Sequence, residues 1–376
     1  MAYIHGYCAP PFEEIRAILQ DACNFGDEIG VSFALNVDGN MLVDLYGGYE
    51  DRHQTRPWNW NTTVPIWSCS KAVTSLAMLK LVDSGILNPR ARVSTYWPEF
   101  AANGKGGIEL RHILSHTSGM SGIRALITPQ QAADENLMAA LLADQAPLWP
   151  PTTASGYHTG TWRHLLGQVV ARTTGMTLTG LVQTEILNAL EVDYFHNSEF
   201  QGSKAEIVCH DNPIRLPVGR YPLGPVAERT LRNPIRDPGA PMTASAYSNA
   251  RSLATILSTI SRGGLDANGR QFLRPETVDM IFQEHSRGED LVLQKPLRWG
   301  LGYALAGDGG LPDDEWLPRG NRMCYWGGWG GSLVVMDCDR RVTLAFTMNK
   351  MDSSLPMANQ TARQCVRAAY DVLGGA

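Results

Sequence analysis

The stretch from Trp67 to Ser84, Trp-Ser-Cys-Ser-Lys-Ala-Val-Thr-Ser-Leu-Ala-Met-Leu-Lys-Leu-Val-Asp-Ser, constrains this chain more than any other. Its apolar residues Val73, Leu76, Leu79 and Val82 recur with helical spacing, which predicts a helix that has to be packed into a core. Ser68 and Lys71 stand at its opening, close enough along the helix for both side chains to leave one face. A hydroxyl is a poor nucleophile at its own pKa and needs a neighbouring base. A lysine serves as that base only if burial disfavours its charged form. The apolar residues on both sides of the pair are expected to supply the burial. Ser68 also sits at the positive end of the helix dipole, where main-chain N–H groups can bind an oxyanion. Of the six lysines, only Lys71 has a serine three positions before it. The plainer alternative makes Ser68 an N-cap and Lys71 a solvated first-turn residue. That alternative sets a cation against the dipole.

A helix of this kind needs a large core, and 376 residues can build one, as one elaborate domain or two interleaved ones. The net charge of −5 comes from both signs scattered along the chain, which argues against nucleic acid and membrane partners. Met1 to Pro10 lacks the regions of a signal peptide, and no apolar run approaches the length of a membrane span. The expectation is a soluble, cytoplasmic protein. Seven cysteines form an odd set without a C-x-x-C, so neither a disulfide framework nor a zinc site is expected.

Along the chain, Phe12 to Cys23 reads as a helix, with Ile15, Ile18 and Leu19 on one side. Val31 to Val37 and Met41 to Leu45 flank Asp38-Gly39 as a hairpin, so a helix laid across an antiparallel sheet is expected. Ile108 to Thr117, Pro129 to Ala146, Thr161 to Thr173 and Leu178 to Leu190 read as helices. Glu199 to Pro241 is rich in Pro, Gly and Arg without periodicity, which suits an excursion around a site mouth. Ser248 to Ser261, Pro275 to Gln283 and Gln360 to Leu373 read as further helices. Gly300 to Leu305, Ser332 to Asp337 and Val342 to Asn349 read as strands, with Cys338 to Arg341 as a turn.

Other residues carry chemistry with alternatives open. His112 and His116, four apart on a predicted helix, could ligate a metal; without an acidic or third ligand, packing or hydrogen bonding near a loop is the stronger reading. Tyr157, in Ser-Gly-Tyr-His-Thr-Gly, is either a packed aromatic or a phenol that moves a proton between serine and leaving group. His158 beside it could do acid or base work. Trp326-Gly327-Gly328-Trp329-Gly330-Gly331-Ser332 is either a bulge or turn, or a strand end that lets backbone approach a ligand and offers an oxyanion donor. G-x-S-x-G, G-x-x-x-x-G-K-[ST] and H-E-x-x-H are absent.

Ser-Cys-Ser-Lys early, Gly-Tyr-His in the middle and Trp-Gly-Gly before a late strand together resemble the serine β-lactamase and penicillin-binding-protein superfamily. They are most similar to the family VIII carboxylesterases, which share the class C β-lactamase fold. Val43-Asp44-Leu45-Tyr46-Gly47-Gly48, Thr55-Arg56-Pro57-Trp58, Tyr96-Trp97-Pro98-Glu99-Phe100 and Leu114-Ser115-His116-Thr117-Ser118-Gly119 look like that family's, from about Phe12 to Leu373. The resemblance implies an α+β fold: an antiparallel sheet flanked by helices, from residues 1–86 and 245–376, beside a mainly helical lobe from 87–244. It also implies an acyl-enzyme on Ser68, with Lys71 and Tyr157 handling protons and the main-chain N–H groups of Ser68 and Trp329 as the oxyanion hole. Trp67, His158, Trp326, Gly327 and Gly328 would touch substrate. Neither metal nor cofactor is implied.

Two departures from the β-lactamase pattern are informative. Tyr157-His158-Thr159 stands where those enzymes have Tyr-x-Asn, and Trp326-Gly327-Gly328 where they have a Lys-Thr-Gly type triplet. Without that amide and that cation, recognition of penicillins or of D-Ala peptides is weakened. With Trp67, Trp162, Trp326 and Trp329 around the motif positions, the substrate expected is a small, neutral, fairly apolar ester. Three other outcomes stay open: acyl transfer to an alcohol of a secondary metabolite, slow residual β-lactam hydrolysis, and a non-catalytic scaffold. The sequence does not choose an oligomeric state.

Overall fold

A computed structural model describes residues 2–190, 192–196, 204–209, 246–306, 316–318, 320–352 and 358–374. Strand β1 (Ile4–Cys8) leads to helix α1 (Glu13–Phe25) and the hairpin β2 (Gly30–Val37) and β3 (Asn40–Gly48). Asp38 and Gly39 make its two-residue turn with φ of 49° and 90°, the left-handed pair that matches strand twist. The short β4 (Val64–Pro65) then delivers the chain to α2 (Cys69–Asp83). Helices α3 (Val93–Tyr96), α4 (Leu110–Leu114), α5 (Pro129–Ala133), α6 (Glu135–Asp144), α7 (Trp162–Thr174) and α8 (Leu178–Glu185) follow. After β5 (Tyr194–His196), β6 (Val208–Cys209) and β7 (Ala246–Ser248) come α9 (Ala250–Ser261) and α10 (Pro275–Asp279). The chain ends with β8 (Ser286–Glu289), β9 (Pro296–Trp299), β10 (Ala304–Ala306), β11 (Met323–Gly327), β12 (Leu333–Asp337), β13 (Val342–Met348), β14 (Lys350–Met351) and α11 (Gln360–Val372).

Nine strands form one antiparallel sheet in the order β1-β3-β2-β13-β12-β11-β10-β9-β8. Every residue of β11, β12 and β13 is buried, so both faces of the sheet are covered at its centre. Helix α9 lies against β2, β12 and β13, while α1 and α11 pack on each other. The fold is α+β, with an antiparallel sheet flanked by helices and a run of helices between residues 93 and 185.

Helix α2 is apolar around its circumference: Cys69, Ala72, Val73, Leu76, Ala77, Met78, Leu79, Leu81 and Val82 are all buried. It packs against α8, α9, α10 and β11, which makes it the axle between the helices and the sheet. Burying its aliphatic side chains supplies roughly 2 kcal/mol each before chain entropy is charged. Six cysteines, Cys8, Cys23, Cys69, Cys324, Cys338 and Cys365, are buried and unpaired. No helix among the described residues is long and apolar enough to cross a membrane.

Several elements differ from the sequence expectation. Strand β1 has no alternating signal because it is an edge strand, with His5, Gly6 and Tyr7 exposed and Ile4 and Cys8 buried. The strand expected at Gly300 to Leu305 is confined to β10; before it the chain turns, with Gly300 N–H bonded to Tyr303 O at 2.9 Å. Pro129 to Ala146 is two helices, because the Asp134 side chain caps α6 by accepting from Asn136 and Leu137 N–H. The Ile108 to Thr117 helix shortens to Leu110–Leu114 and is followed at His116 by a left-handed φ of 59°. The 178–190 helix ends at Glu185 and gives way to a 3-10 turn at Leu187–Ala189. Most of the Glu199 to Pro241 excursion lies outside the described residues.

Candidate active site

The chain enters α2 by an unusual route. Ile66 N–H bonds Ala246 O at 3.0 Å, tying the approach to β7, and Trp67 then takes a left-handed φ of 49°. A tryptophan in that region is strained, a condition that clusters at functional sites. Ser68 is the N-cap residue by position, yet its side chain makes no capping hydrogen bond. Its hydroxyl is met by Lys71 Nζ at 3.4 Å. Lys71 Nζ lies 4.9 Å from the centre of the Tyr157 ring, and no carboxylate among the described residues forms an ion pair with it. Lys71 is half-buried, not enclosed as the apolar helix suggested.

The end of β11 forms the opposing wall. A side chain at Gly328 would stand 2.5 Å from Ile66 O and 3.3 Å from Cys69 Sγ, so only a glycine lets this backbone reach the start of α2. Cys69 Sγ–H points at Trp326 O, 3.7 Å away, from the other side of the same contact. Gly328 N–H closes a tight turn onto Ser332 O at 2.6 Å. The turn reading of Trp-Gly-Gly holds, and the glycine also lets the strand end approach the start of α2. The Trp329 indole meets Trp67 edge to face, with centroids 5.1 Å apart. The main-chain N–H groups of Ser68 and Trp329 donate to no acceptor among the described residues.

Tyr157 is buried, and its hydroxyl has no partner among the described residues. Its ring lies parallel to Trp299, 6° between planes and 6.2 Å between centroids, and touches Trp326 at 5.0 Å and His116 at 4.9 Å. Its N–H donates to Asp290 Oδ1 at 2.9 Å. Of the expected residues, Ser68, Lys71, Tyr157, Trp67, Trp326, Gly327, Gly328 and Trp329 are thus brought into one neighbourhood.

His158 differs from expectation. It is fully buried, with Nδ1 bonded to Gly156 O at 2.7 Å and Nε2 to Ser118 Oγ at 2.6 Å. With both nitrogens committed inside the protein, it is not a substrate contact. Burial pushes it down to about 4, the hydrogen bond to Gly156 opposes this, and the Lys71 charge adds to the lowering. His112 and His116 do not converge on a metal position. His112 Nδ1 accepts Glu109 N–H at 3.0 Å, and His116 Nδ1 accepts His158 N–H at 3.1 Å. Among the described residues no group of three His, Cys, Asp or Glu could hold a metal ion.

Sequence reasoning missed Asp290 and Trp299. Asp290 sits in Gly288-Glu289-Asp290, which looks like a surface turn, yet it is fully buried. Burial pushes its carboxyl above the usual range, while hydrogen bonds from Leu293, Tyr157, Val292 and Ser155 hold it back. No local pattern distinguishes such an acid from a solvated one. A hydroxyl within reach of an amine at a helix start, with two nearby main-chain N–H groups that have no acceptor among the described residues, is equipment for nucleophilic acyl chemistry.

A model of the Beta-lactamase family matches residues 17–366. The chain is 28% identical to Esterase/beta-lactamase LipL of Mycobacterium tuberculosis over 354 residues, 88% of this chain and 79% of the relative. Its structure superposes on that of a family VIII carboxylesterase with a TM-score of 0.86 and 26% identity, covering 98% of this chain and 99% of the other. A penicillin-binding protein homolog from Caulobacter crescentus matches equally well, with a TM-score of 0.86, 28% identity and the same coverage.

Proposed function

The chain belongs to the Beta-lactamase family, and on that premise we propose that it is a serine carboxylesterase working through an acyl-enzyme on Ser68. The observation that carries this reading is the contact of Lys71 Nζ with Ser68 Oγ at 3.4 Å, with the hydroxyl excluded from capping its own helix. The esterase names of LipL and of the family VIII neighbour support a hydrolase of the carboxylesterase and β-lactamase type.

In the proposed course Ser68 Oγ attacks the ester carbonyl while its proton passes to the neutral amine of Lys71. The oxyanion that forms is held by the N–H groups of Ser68 and Trp329. Collapse breaks the C–O bond, and the departing alkoxide takes a proton delivered through Tyr157. Water then attacks the acyl carbon by the same route in reverse, freeing the acid and restoring Ser68. Among the described residues the Tyr157 hydroxyl has no partner and Lys71 no ion pair, and both support this division of labour.

Trp326 favours esters over β-lactams. It is buried against Tyr157 and Trp299, and supplies an apolar face where a cation would be needed to pair with a carboxylate. The test is turnover of p-nitrophenyl butyrate and of nitrocefin by the purified protein, with mass spectrometry after treatment with a fluorophosphonate. Ester turnover well above nitrocefin turnover and a single adduct on Ser68 are expected. No ester cleavage between pH 6 and 9, or an adduct elsewhere, would overturn the proposal.

A further inference from the structure

Three consecutive main-chain N–H groups around Tyr157 are taken by distant parts of the chain. Gly156 N–H donates to His116 O at 2.9 Å, Tyr157 N–H to Asp290 Oδ1 at 2.9 Å, and His158 N–H to His116 Nδ1 at 3.1 Å. His116 is 2% exposed and Asp290 fully buried. The phenol, by contrast, has no partner among the described residues. We infer that His116 and Asp290 are positioning residues for acyl transfer: they fix Tyr157 through its backbone, so that its hydroxyl stays free to exchange a proton with the reacting groups. The inference rests on the Ser68, Lys71 and Tyr157 reading above.

The two clamps do more than hold one amide each. Asp290 Oδ1 also accepts Val292 and Leu293 N–H at 3.0 Å, and its Oδ2 takes Trp299 Nε1–H at 3.3 Å. Trp299 is the ring that lies flat against Tyr157, so one carboxylate sets both the tyrosine backbone and its stacking partner. On the other side, His116 accepts through Nδ1, which puts its own proton on Nε2. His158 donates from Nδ1 to Gly156 O, which leaves Nε2 to accept from Ser118 Oγ–H. Backbone groups thus decide the tautomer of both rings. A proton on His116 Nδ1 would remove the acceptor and place a buried charge beside Tyr157. Burial, His158 and the Lys71 charge all act against that proton.

Ring stacking alone lets a tyrosine slide in its plane, whereas three bonded amides fix where the phenol begins. A misplacement of about 1 Å in a reacting group costs on the order of 100-fold in rate. Asparagine discriminates a clamp from general packing. It tolerates the left-handed φ of 59° at position 116, and its Oδ1 can replace His Nδ1 as acceptor. At position 290 it keeps an acceptor oxygen without the charge.

The experiment measures kcat and KM on p-nitrophenyl butyrate for wild type, His116→Asn, His116→Ala, Asp290→Asn and Asp290→Ala, with circular dichroism and melting to establish folding. The alanine variants are expected to lose about 100-fold in kcat with KM within about 3-fold. The asparagine variants are expected to recover to within about 10-fold of wild type. A folded alanine variant that keeps kcat within about 3-fold, or asparagine variants as slow as alanine ones, overturns the inference. Where an alanine variant does not fold, its asparagine partner decides, and a loss above about 100-fold there also overturns it. A wild type that cleaves no ester sinks the esterase reading instead, which separates the two failures.

Discussion

Lys71 Nζ reaches Ser68 Oγ at 3.4 Å from the following turn of the same helix, and no carboxylate among the described residues pairs with it. The spacing of the pair is set within one helical turn. What tertiary structure adds is the second wall, the end of β11 pressed onto the helix start through Gly328.

If Lys71 is the base, charge at that position is not enough. Lys71→Arg keeps a cation within reach of Ser68 but cannot be deprotonated in a protein. Lys71→Arg and Lys71→Ala should both lose about 10³-fold or more in kcat on p-nitrophenyl butyrate. Ser68→Ala should abolish fluorophosphonate labelling. An arginine variant with activity near wild type would contradict the base assignment.

Gly328→Ala should be harmful to both fold and activity. The added methyl meets a backbone oxygen, Ile66 O, at 2.5 Å, and backbone cannot swing away as a side chain can. A loss of about 1–3 kcal/mol is expected with a fall in kcat, because the strand end that carries Trp329 has to retreat. Gly107→Ala, where nothing lies within 4 Å of the new methyl, is the control and should leave the melting temperature essentially unchanged. Equal melting temperatures for the two variants would refute the close approach.

The buried histidines predict an acid limit to stability. His158 falls from an unfolded value of 6.5 to about 4 because burial penalises its charged form. The unfolded chain therefore takes up a proton below pH 6.5 that the folded chain refuses until about pH 4. Stability is complete above the first value and declines toward the second, by about 3 kcal/mol from this residue. Imidazole NMR signals of His158 and His116 should not titrate between pH 5 and 8, and a titration in that range would show that these rings are not held neutral.

Glu28 predicts the opposite slope. It is buried, accepts from Asn359 Nδ2–H through Oε1, and has no partner on Oε2 among the described residues. Burial pushes its carboxyl up from 4.5 to about 8, against hydrogen bonds from Thr361 and Asn359 and the charge of Lys350. The folded chain holds a proton that the unfolded chain has released, so this group lowers stability progressively as pH rises from 4.5 to about 8. Glu28→Gln should be more stable than wild type at pH 8, with the difference vanishing near pH 4.5. Urea midpoints at the two pH values check this, and a pH-independent difference would count against a raised Glu28 pKa.

The sequence by itself determined the helix that carries Ser68 and Lys71, the Asp38-Gly39 hairpin and the late strand pair, because period and turn chemistry are local. It also marked Tyr157 and the Trp326 to Trp329 segment by residue type and order. Only the tertiary structure decided what surrounds them. His158 and Asp290 look exposed and available in the chain, yet contacts 40 and 133 residues away in sequence, to Ser118 and Tyr157, make one a sealed structural ring and the other a buried clamp. Edge strand β1 escaped notice because three of its five residues are exposed and its pairing partner lies some forty residues on. Local pattern reports which groups can do chemistry; whether a polar group keeps its hydrogen bonds for the fold or leaves them open depends on neighbours that only folding brings near.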